Sequence, residues 1–279
     1  MNTAGVKNLE RLVAAEPPLF MGILNTTPDS FSDGGEFTEP EAAAAHAETL
    51  MRAGAAIIDI GGESTGPGSS AVNAEEEWRR VEGAVAAISN RCILSIDTFK
   101  SDVAERALKL GAAVVNDVSA LRYDPRMGQV AAEHNAYVVL MHSKELDDSP
   151  HASQLERAFS DVINDTTEFL ERAVERAVSA GIERNKIIID PGMGKFVSAD
   201  PEISWEIVAR LDELKRSLPF PILLSASRKG FLGGAVSQRD PISQLLHLAA
   251  IAKGAKIIRT HNVAMLSEFF GAWKRLKMV

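Results

Sequence analysis

The 279-residue chain is short of cysteine, positive charge and long apolar runs, and each shortage excludes something. Cys92 is the only cysteine, so no intrachain disulfide can form. It stands just before the apolar stretch "ILSI", where a small buried hydrophobe is expected in preference to a nucleophile. Lys and Arg number 30 against 38 Asp and Glu, a net charge of -8. A chain with this balance lacks the cationic excess that displaces counterions from a phosphate backbone, so general nucleic-acid binding is excluded while a local cationic pocket is not. The segment "MNTAGVKNLERLVAAEPP" carries charges where a signal peptide needs an apolar core, and no later run is long enough to cross a bilayer. The expected setting is the cytoplasm, with no membrane partner. Linkers, low-complexity blocks and short repeats are also lacking.

What is present is a composition for burial: 46% hydrophobic and 24% charged residues suit one or two well-filled domains. Eight short apolar runs recur along the chain: "LFMGILN", "AIIDIGG", "ILSIDTF", "AVVNDVS", "YVVLMHS", "KIIIDPG", "ILLSASR" and "KIIRTHN". They are nearly continuous in hydrophobicity, as strands covered on both faces are, and amphipathic stretches separate most of them. Helix starts are expected near Thr38, with Glu41 in capping-box relation, and near Asn73, with Glu76 likewise. Asp200-Pro201 and Asp240-Pro241 each pair an N-cap acid with a first-turn proline. The stretch "LERAFSDVINDTTEFLERAVERAVSAG" predicts the longest helix, ended by Gly181. Eight strand-helix units predict an α/β fold, a single (β/α)8 TIM barrel over residues 19–279, after an N-terminal extension at 1–18. The competing architecture, an open doubly wound sheet with a nucleotide site, lacks its G-x-G-x-x-G or G-x-x-x-x-G-K-[ST] signature.

In such a barrel the chemistry sits where strands end. Every apolar run here closes on a polar side chain: Asn25, Asp59 with Glu63, Asp97, Asn116, His142, Asp190, Ser227 with Lys229, and Arg259 with His261. Any one has a structural use as a cap or a backbone partner, but eight together are expected to converge on one bowl. Asp97, Asn116 and Asp190 suit a flat nitrogen heterocycle, whose N-H donors carboxylates grip in pairs. Lys229, Arg259 and His261 follow the last two strands, where these barrels frequently bind phosphate. Asn25 could complete a Mg²⁺ shell beside a polyphosphate, because Mg²⁺ keeps several waters and takes few protein ligands. The expected substrate is a ring-bearing phosphate ester.

The segments "GILNTTPDSFSDGG", "IIDIGGESTGPG", "SIDTFK", "VVNDVSA", "DPGMG", "SASRKGFLG" and "RTHNV" carry these residues, and in order and spacing the chain from Gly22 to Val263 resembles the dihydropteroate synthase family. The resemblance implies a transferase of folate biosynthesis and a sulfonamide target. It would join 6-hydroxymethyl-7,8-dihydropterin pyrophosphate to p-aminobenzoate and release pyrophosphate. Carried over, it implies that Asp97, Asn116, Asp190 and Lys229 bind the pterin, and that Asn25, Arg259 and His261 meet pyrophosphate, with Asn25 on the Mg²⁺. Thr65, Pro67, Lys229, Gly230 and Phe196 fall on the p-aminobenzoate side. Asp97, Lys229, Arg259 and His261 would be the catalytic set. Residues 25 to 37 would form a first loop that closes with the loop at 63 to 70 and keeps water from a pterin-methylene cation. The partners are small molecules, and the chain is expected to form a homodimer.

Four positions depart from the family pattern. Gly66 replaces the arginine of Ser-Thr-Arg-Pro-Gly, "DPGMGKF" brings the aromatic to Phe196, Gly230 replaces a hydroxyl residue, and Asn262 replaces the aspartate after Thr-His. Two alternatives accompany the main reading. A non-catalytic or weakly active pterin-binding paralogue is favoured by the missing arginine. A pterin-dependent methyltransferase on the same barrel would have no use for "RTH" as an anion site.

Overall fold

A computed structural model describes residues 9–10, 13–14, 18–26, 39–66, 69–144, 151 and 158–276. Its eight strands are β1 (Leu19–Asn25), β2 (Ile57–Gly61), β3 (Ile93–Asp97), β4 (Val114–Asp117), β5 (Tyr137–Met141), β6 (Ile187–Asp190), β7 (Ile222–Leu224) and β8 (Ala255–Thr260). All pair in parallel in sequence order, and β8 returns to β1, so the sheet is the closed barrel the sequence predicts. Each apolar run contains one strand. Around them lie α1 (Glu39–Arg52), α2 (Ala74–Ile88), α3 (Ser101–Leu110), α4 (Met127–Glu133) and α5 (Val162–Ser179). The outer ring continues with α6 (Pro201–Ala209), α7 (Leu211–Ser217), α8 (Arg239–Ala252) and α9 (Val263–Arg275).

The helix starts follow local chemistry, with three corrections. Asn73 caps α2 by accepting the Glu76 N–H at 2.9 Å, but the Glu76 carboxylate turns to Arg79 and Arg80, so only half of the expected capping box forms. Asp200 caps α6 from in front of Pro201 as expected. α5 begins at Val162, because Asp161 accepts the N–H groups of Ile163 and Asn164 at 3.0 and 3.2 Å; residues 158–161 are not helical. Gly181, at φ +94°, follows its C-terminus. Asp240 is not an N-cap. α8 starts one residue earlier, at Arg239, and the Asp240 carboxylate accepts from Arg228 and Asn262. Thr38 and nearly all of the first loop lie outside the described residues.

Strand alternation divides the core in two. Outward residues such as Phe20, Ile58, Leu94, Val138, Leu140, Ile189 and Ile258 pack beneath the helices. Inward residues Met21, Ile57, Ile93, Val114, Tyr137, Val139, Ile188 and Ile257 fill the barrel. Leu9 is fully buried in that inner cluster and Val13 packs against it, so the segment before β1 contributes to the barrel floor.

The loop after β6 turns on Gly192, at φ +70°, whose N–H donates to Asp190 Oδ1 at 2.7 Å. A Cβ there would overlap the His142 carbonyl oxygen and crowd Val197. Gly192→Ala is expected to lower stability by at least about 2 kcal/mol, combining backbone strain with overlap; urea unfolding with an unchanged midpoint would contradict this.

Candidate active site

The polar residues at the strand ends inherit the inward face from the apolar residues two positions earlier. Asp59 follows Ile57, Asn116 follows Val114, Asp190 follows Ile188 and Arg259 follows Ile257, while Asp97 follows Ser95 and Ile93. The β3–β4 register sets Asp97 directly beside Asn116. At the centre is Arg259. Its Nε donates to Asp59 Oδ2 at 2.6 Å and its Nη2 to Asp97 Oδ2 at 2.5 Å. Asn116 Nδ2 donates to the same Asp59 oxygen at 3.0 Å. Asp59 is fully buried, and among the described residues its Oδ1 has no hydrogen-bond partner. A guanidinium carries five N–H groups, so among the described residues three remain on Arg259 beyond these two bonds.

Asp59 and Ser227, which the sequence places at strand ends without a site role, both bond to site residues. The signal for Asp59 was its parity with the inward face.

Asp190 and Lys229 lie opposite in charge within one field. Burial pushes the Asp190 carboxyl up to about 6, against the Gly192 N–H, Lys229 and Arg259. Burial pushes the Lys229 ammonium down to about 8, against Asp190 and with Arg259. Burial also raises Asp97 to about 7; Arg259 opposes that rise, and the carboxylates of Asp59, Glu77 and Asp117 add to it. Lys229 reaches the site through an unusual turn. Arg228 stands at φ +58°, a left-handed conformation that costs a non-glycine residue roughly 1–2 kcal/mol. Its side chain is held by Asp240 through Nε at 3.0 Å and Nη2 at 3.2 Å. Beyond it, Lys229 Nζ lies 4.9 Å from the Phe196 ring centroid. Phe196 packs with Phe99, Val118 and Met141 in a small apolar cluster.

The other predicted residues distribute as follows. His261 bonds Ser227 through Nδ1 at 2.9 Å, and burial, with Arg228 and Arg259 nearby, pushes its pKa down to about 3. Asn25 is exposed at the end of β1, four residues beyond Met21, the neighbour of Arg259 in the β1–β8 register. Thr65 is partly buried, Gly230 is exposed with open space around it, and Pro67 lies outside the described residues. Cys92 is half-buried against the core and its thiol is pushed up to about 11, as a packing residue would be.

Two strand-end residues do not converge. His142 has the parity of Val138 and Leu140, so it faces outward, where Nδ1 meets Thr166 Oγ1 of α5 at 3.0 Å and the ring packs on Phe169. Glu63 stands past the Gly61-Gly62 turn and swings away from the barrel axis. There it pairs with Lys100 and His151, while Lys100 also holds Glu77 of α2 at 2.5 Å.

The closed barrel gathers carboxylates, an amide, a partly buried lysine and an arginine at its mouth, and residues 21–261 match the pterin binding enzyme family, which sets its class. A dihydropteroate synthase of Synechocystis sp. is 40% identical over 255 residues, covering 89% of this chain and 86% of that protein. The solved dihydropteroate synthase of Xanthomonas albilineans with 4-aminobenzoic acid matches with a TM-score of 0.86 and 38% identity, covering 95% of this chain and 94% of that one. The same organism's enzyme in complex with 7,8-dihydropteroate matches at 0.82 and 35% identity, covering 95% of both chains. The chain belongs to the dihydropteroate synthase family.

The Asp97 shift sets a pH dependence. A carboxyl whose native pKa, about 7, exceeds its ordinary 3.8 binds protons more tightly when folded, so its contribution to stability falls as pH rises between those values. The stability difference between the wild type and Asp97→Asn is therefore expected to decline from pH 4 to pH 7 in urea unfolding. A difference that grows over that range would contradict the assignment.

Proposed function

We infer that this chain condenses 6-hydroxymethyl-7,8-dihydropterin pyrophosphate with p-aminobenzoate, giving 7,8-dihydropteroate and pyrophosphate. The observation that carries this reading is the Asp59–Arg259–Asp97 bridge with Asn116 beside it, an ordered set of donors and acceptors at the level where a flat heterocycle would enter. The assembled charges argue against a non-catalytic pterin binder, and the relatives are synthases, not methyltransferases.

In the mechanism we propose, Asp97, Asn116, Asp190 and Lys229 bind the pterin. Their carboxylates accept ring N–H groups and their Asn and Lys nitrogens donate to ring acceptors. As the C–O bond to pyrophosphate breaks, positive charge develops on the pterin-methylene unit and Asp97 stabilises it. The leaving oxygens take hydrogen bonds from the free N–H groups of Arg259 and from His261. The p-aminobenzoate nitrogen, with Thr65, Pro67, Gly230, Lys229 and Phe196 around its ring and carboxylate, then attacks the methylene carbon and loses its proton to solvent. The apolar cluster of Phe196, Phe99, Val118 and Met141 supports a dry pocket for that ring.

The donor set fits Mg²⁺ as a passenger of the pyrophosphate. Among the described residues no three His, Cys, Asp or Glu side chains form a metal cluster, and exposed Asn25 offers one neutral oxygen, as Mg²⁺ shared with phosphates needs. When bound, the ion neutralises charge on the leaving group. The homodimer we propose would use the exposed apolar residues Ile242 and Leu245 of α8 and Phe269 of α9. Among the described residues no helix is long and apolar enough to cross a membrane, and a cytoplasmic setting is proposed.

Dihydropteroate and pyrophosphate are expected in equal amounts from the purified protein, with loss on chelation of Mg²⁺; a well-folded preparation that forms neither would overturn the reading. Asp190→Ala should weaken pterin binding by about 2–4 kcal/mol in calorimetric titration, because ring donors lose a charged partner. Unchanged affinity would remove Asp190 from the site.

Gly66 gives a separate check. It is not at positive φ, and among the described residues a Cβ would meet only Ser64 Oγ at 3.4 Å, so that local geometry accepts a side chain. Gly66→Arg is expected to tighten the pyrophosphate ester by about 1.5 kcal/mol with little effect on the pterin alcohol. Equal weakening of both ligands would contradict it.

A further inference from the structure

Ser227 stands just past β7, beside the end of β8, and its hydroxyl is engaged on every side. Its Oγ accepts the backbone N–H of His261 at 3.1 Å. Thr260 Oγ1 donates to it from 3.4 Å. The remaining polar neighbour is Nδ1 of His261, at 2.9 Å. A serine hydroxyl has one proton and two lone pairs. With a backbone N–H and a threonine hydroxyl on its accepting side, the Ser227 proton is directed to Nδ1. In that arrangement the ring nitrogen accepts and the ring hydrogen sits on Nε2.

The strand end that carries Ser227 is itself pinned. The neighbouring Ala226 N–H donates to His247 Nε2 at 3.1 Å, which leaves His247 Nδ1–H to donate to Gln244 Oε1 at 3.1 Å. His247 is fully buried in α8, so the strand end next to Ser227 is held from behind by that helix.

We propose that Ser227 is a positioning residue that holds His261 as its neutral Nε2–H tautomer, so that the ring edge opposite Ser227 donates a hydrogen bond to an anionic oxygen. That the oxygen belongs to departing pyrophosphate rests on the reaction proposed above; the tautomer does not. The device gives the site a donor that adds no positive charge beside Arg259 and Lys229. Burial and the neighbouring Arg228 and Arg259 keep the ring neutral, with its pKa pushed down to about 3.

The test is the tautomer itself, read from ring-nitrogen shifts and couplings of the ligand-free, ¹⁵N-histidine-labelled protein. The His261 signals are assigned by their loss in His261→Gln. The wild type is expected to show a protonated Nε2 and an unprotonated Nδ1. In Ser227→Ala the His261 signals should move toward a mixture of tautomers, while the other five of the six histidines stay in place and report an intact fold. The same variant should lose roughly two- to ten-fold in kcat/KM for the pterin pyrophosphate, the size of one neutral hydrogen bond, with binding of the pterin alcohol unchanged. A wild-type His261 protonated on Nδ1, or a tautomer that ignores Ser227→Ala, overturns the proposal. A tautomer that follows Ser227 in a protein that makes no dihydropteroate supports the control of His261 and overturns the proposed reaction instead.

Discussion

One arginine ties the mouth of the barrel together. Arg259 reaches from β8 to carboxylates on β2 and β3, and its two bonds cross the interior where the apolar filling stops. Without the guanidinium, Asp59 and Asp97 would be two like charges with little water between them. Without the carboxylates, a largely buried cation, 17% exposed, would stand unpaired at a substantial cost. The pairing satisfies neither side completely. Among the described residues Asp59 keeps an unused oxygen and Arg259 three N–H groups, and Asp97 is pushed toward neutrality. This surplus of donors and acceptors is what a polar heterocycle with an anionic tail can complete.

The surrounding structure holds that surplus in place. Inward apolar residues below the bridge form a dry floor, and Leu9 closes it from beneath. The loops above are aimed by backbone devices: Gly192 at positive φ beside Asp190, and Arg228 at positive φ beside Lys229. Arg228 holds its conformation through a two-point bond to Asp240. A sequence reading takes the Asp240-Pro241 pair for a helix cap, yet the acid serves the loop that presents Lys229.

The strands were legible because parallel strands buried on both faces are short apolar runs. The polar strand ends were legible for the same reason, as interruptions of those runs. Which of them face the bowl depends on parity and on where each strand stops, and one residue of shift reverses the face. His142 illustrates this: counted from Leu140 it points to α5, and alternation alone would have separated it from Asp190. Glu63 was harder, since it lies beyond a Gly-Gly turn where alternation ends. Its partner Lys100 is remote in sequence, and only the packed structure joins them. The bridging role of Asp59 was equally hidden, because a carboxylate at a strand end does not announce which cation it will meet.

Asp59 acts through Arg259 if it serves to hold the guanidinium, and a double-mutant cycle of the two residues measures that coupling. kcat/KM for dihydropteroate formation would be measured in the wild type, Asp59→Asn, Arg259→Lys and the double variant. If Asp59 serves to hold the guanidinium, the double variant should be no worse than Arg259→Lys alone within about 0.5 kcal/mol, a coupling equal to nearly the whole Asp59 effect. Losses that simply add would show that the two residues act separately and would contradict the account.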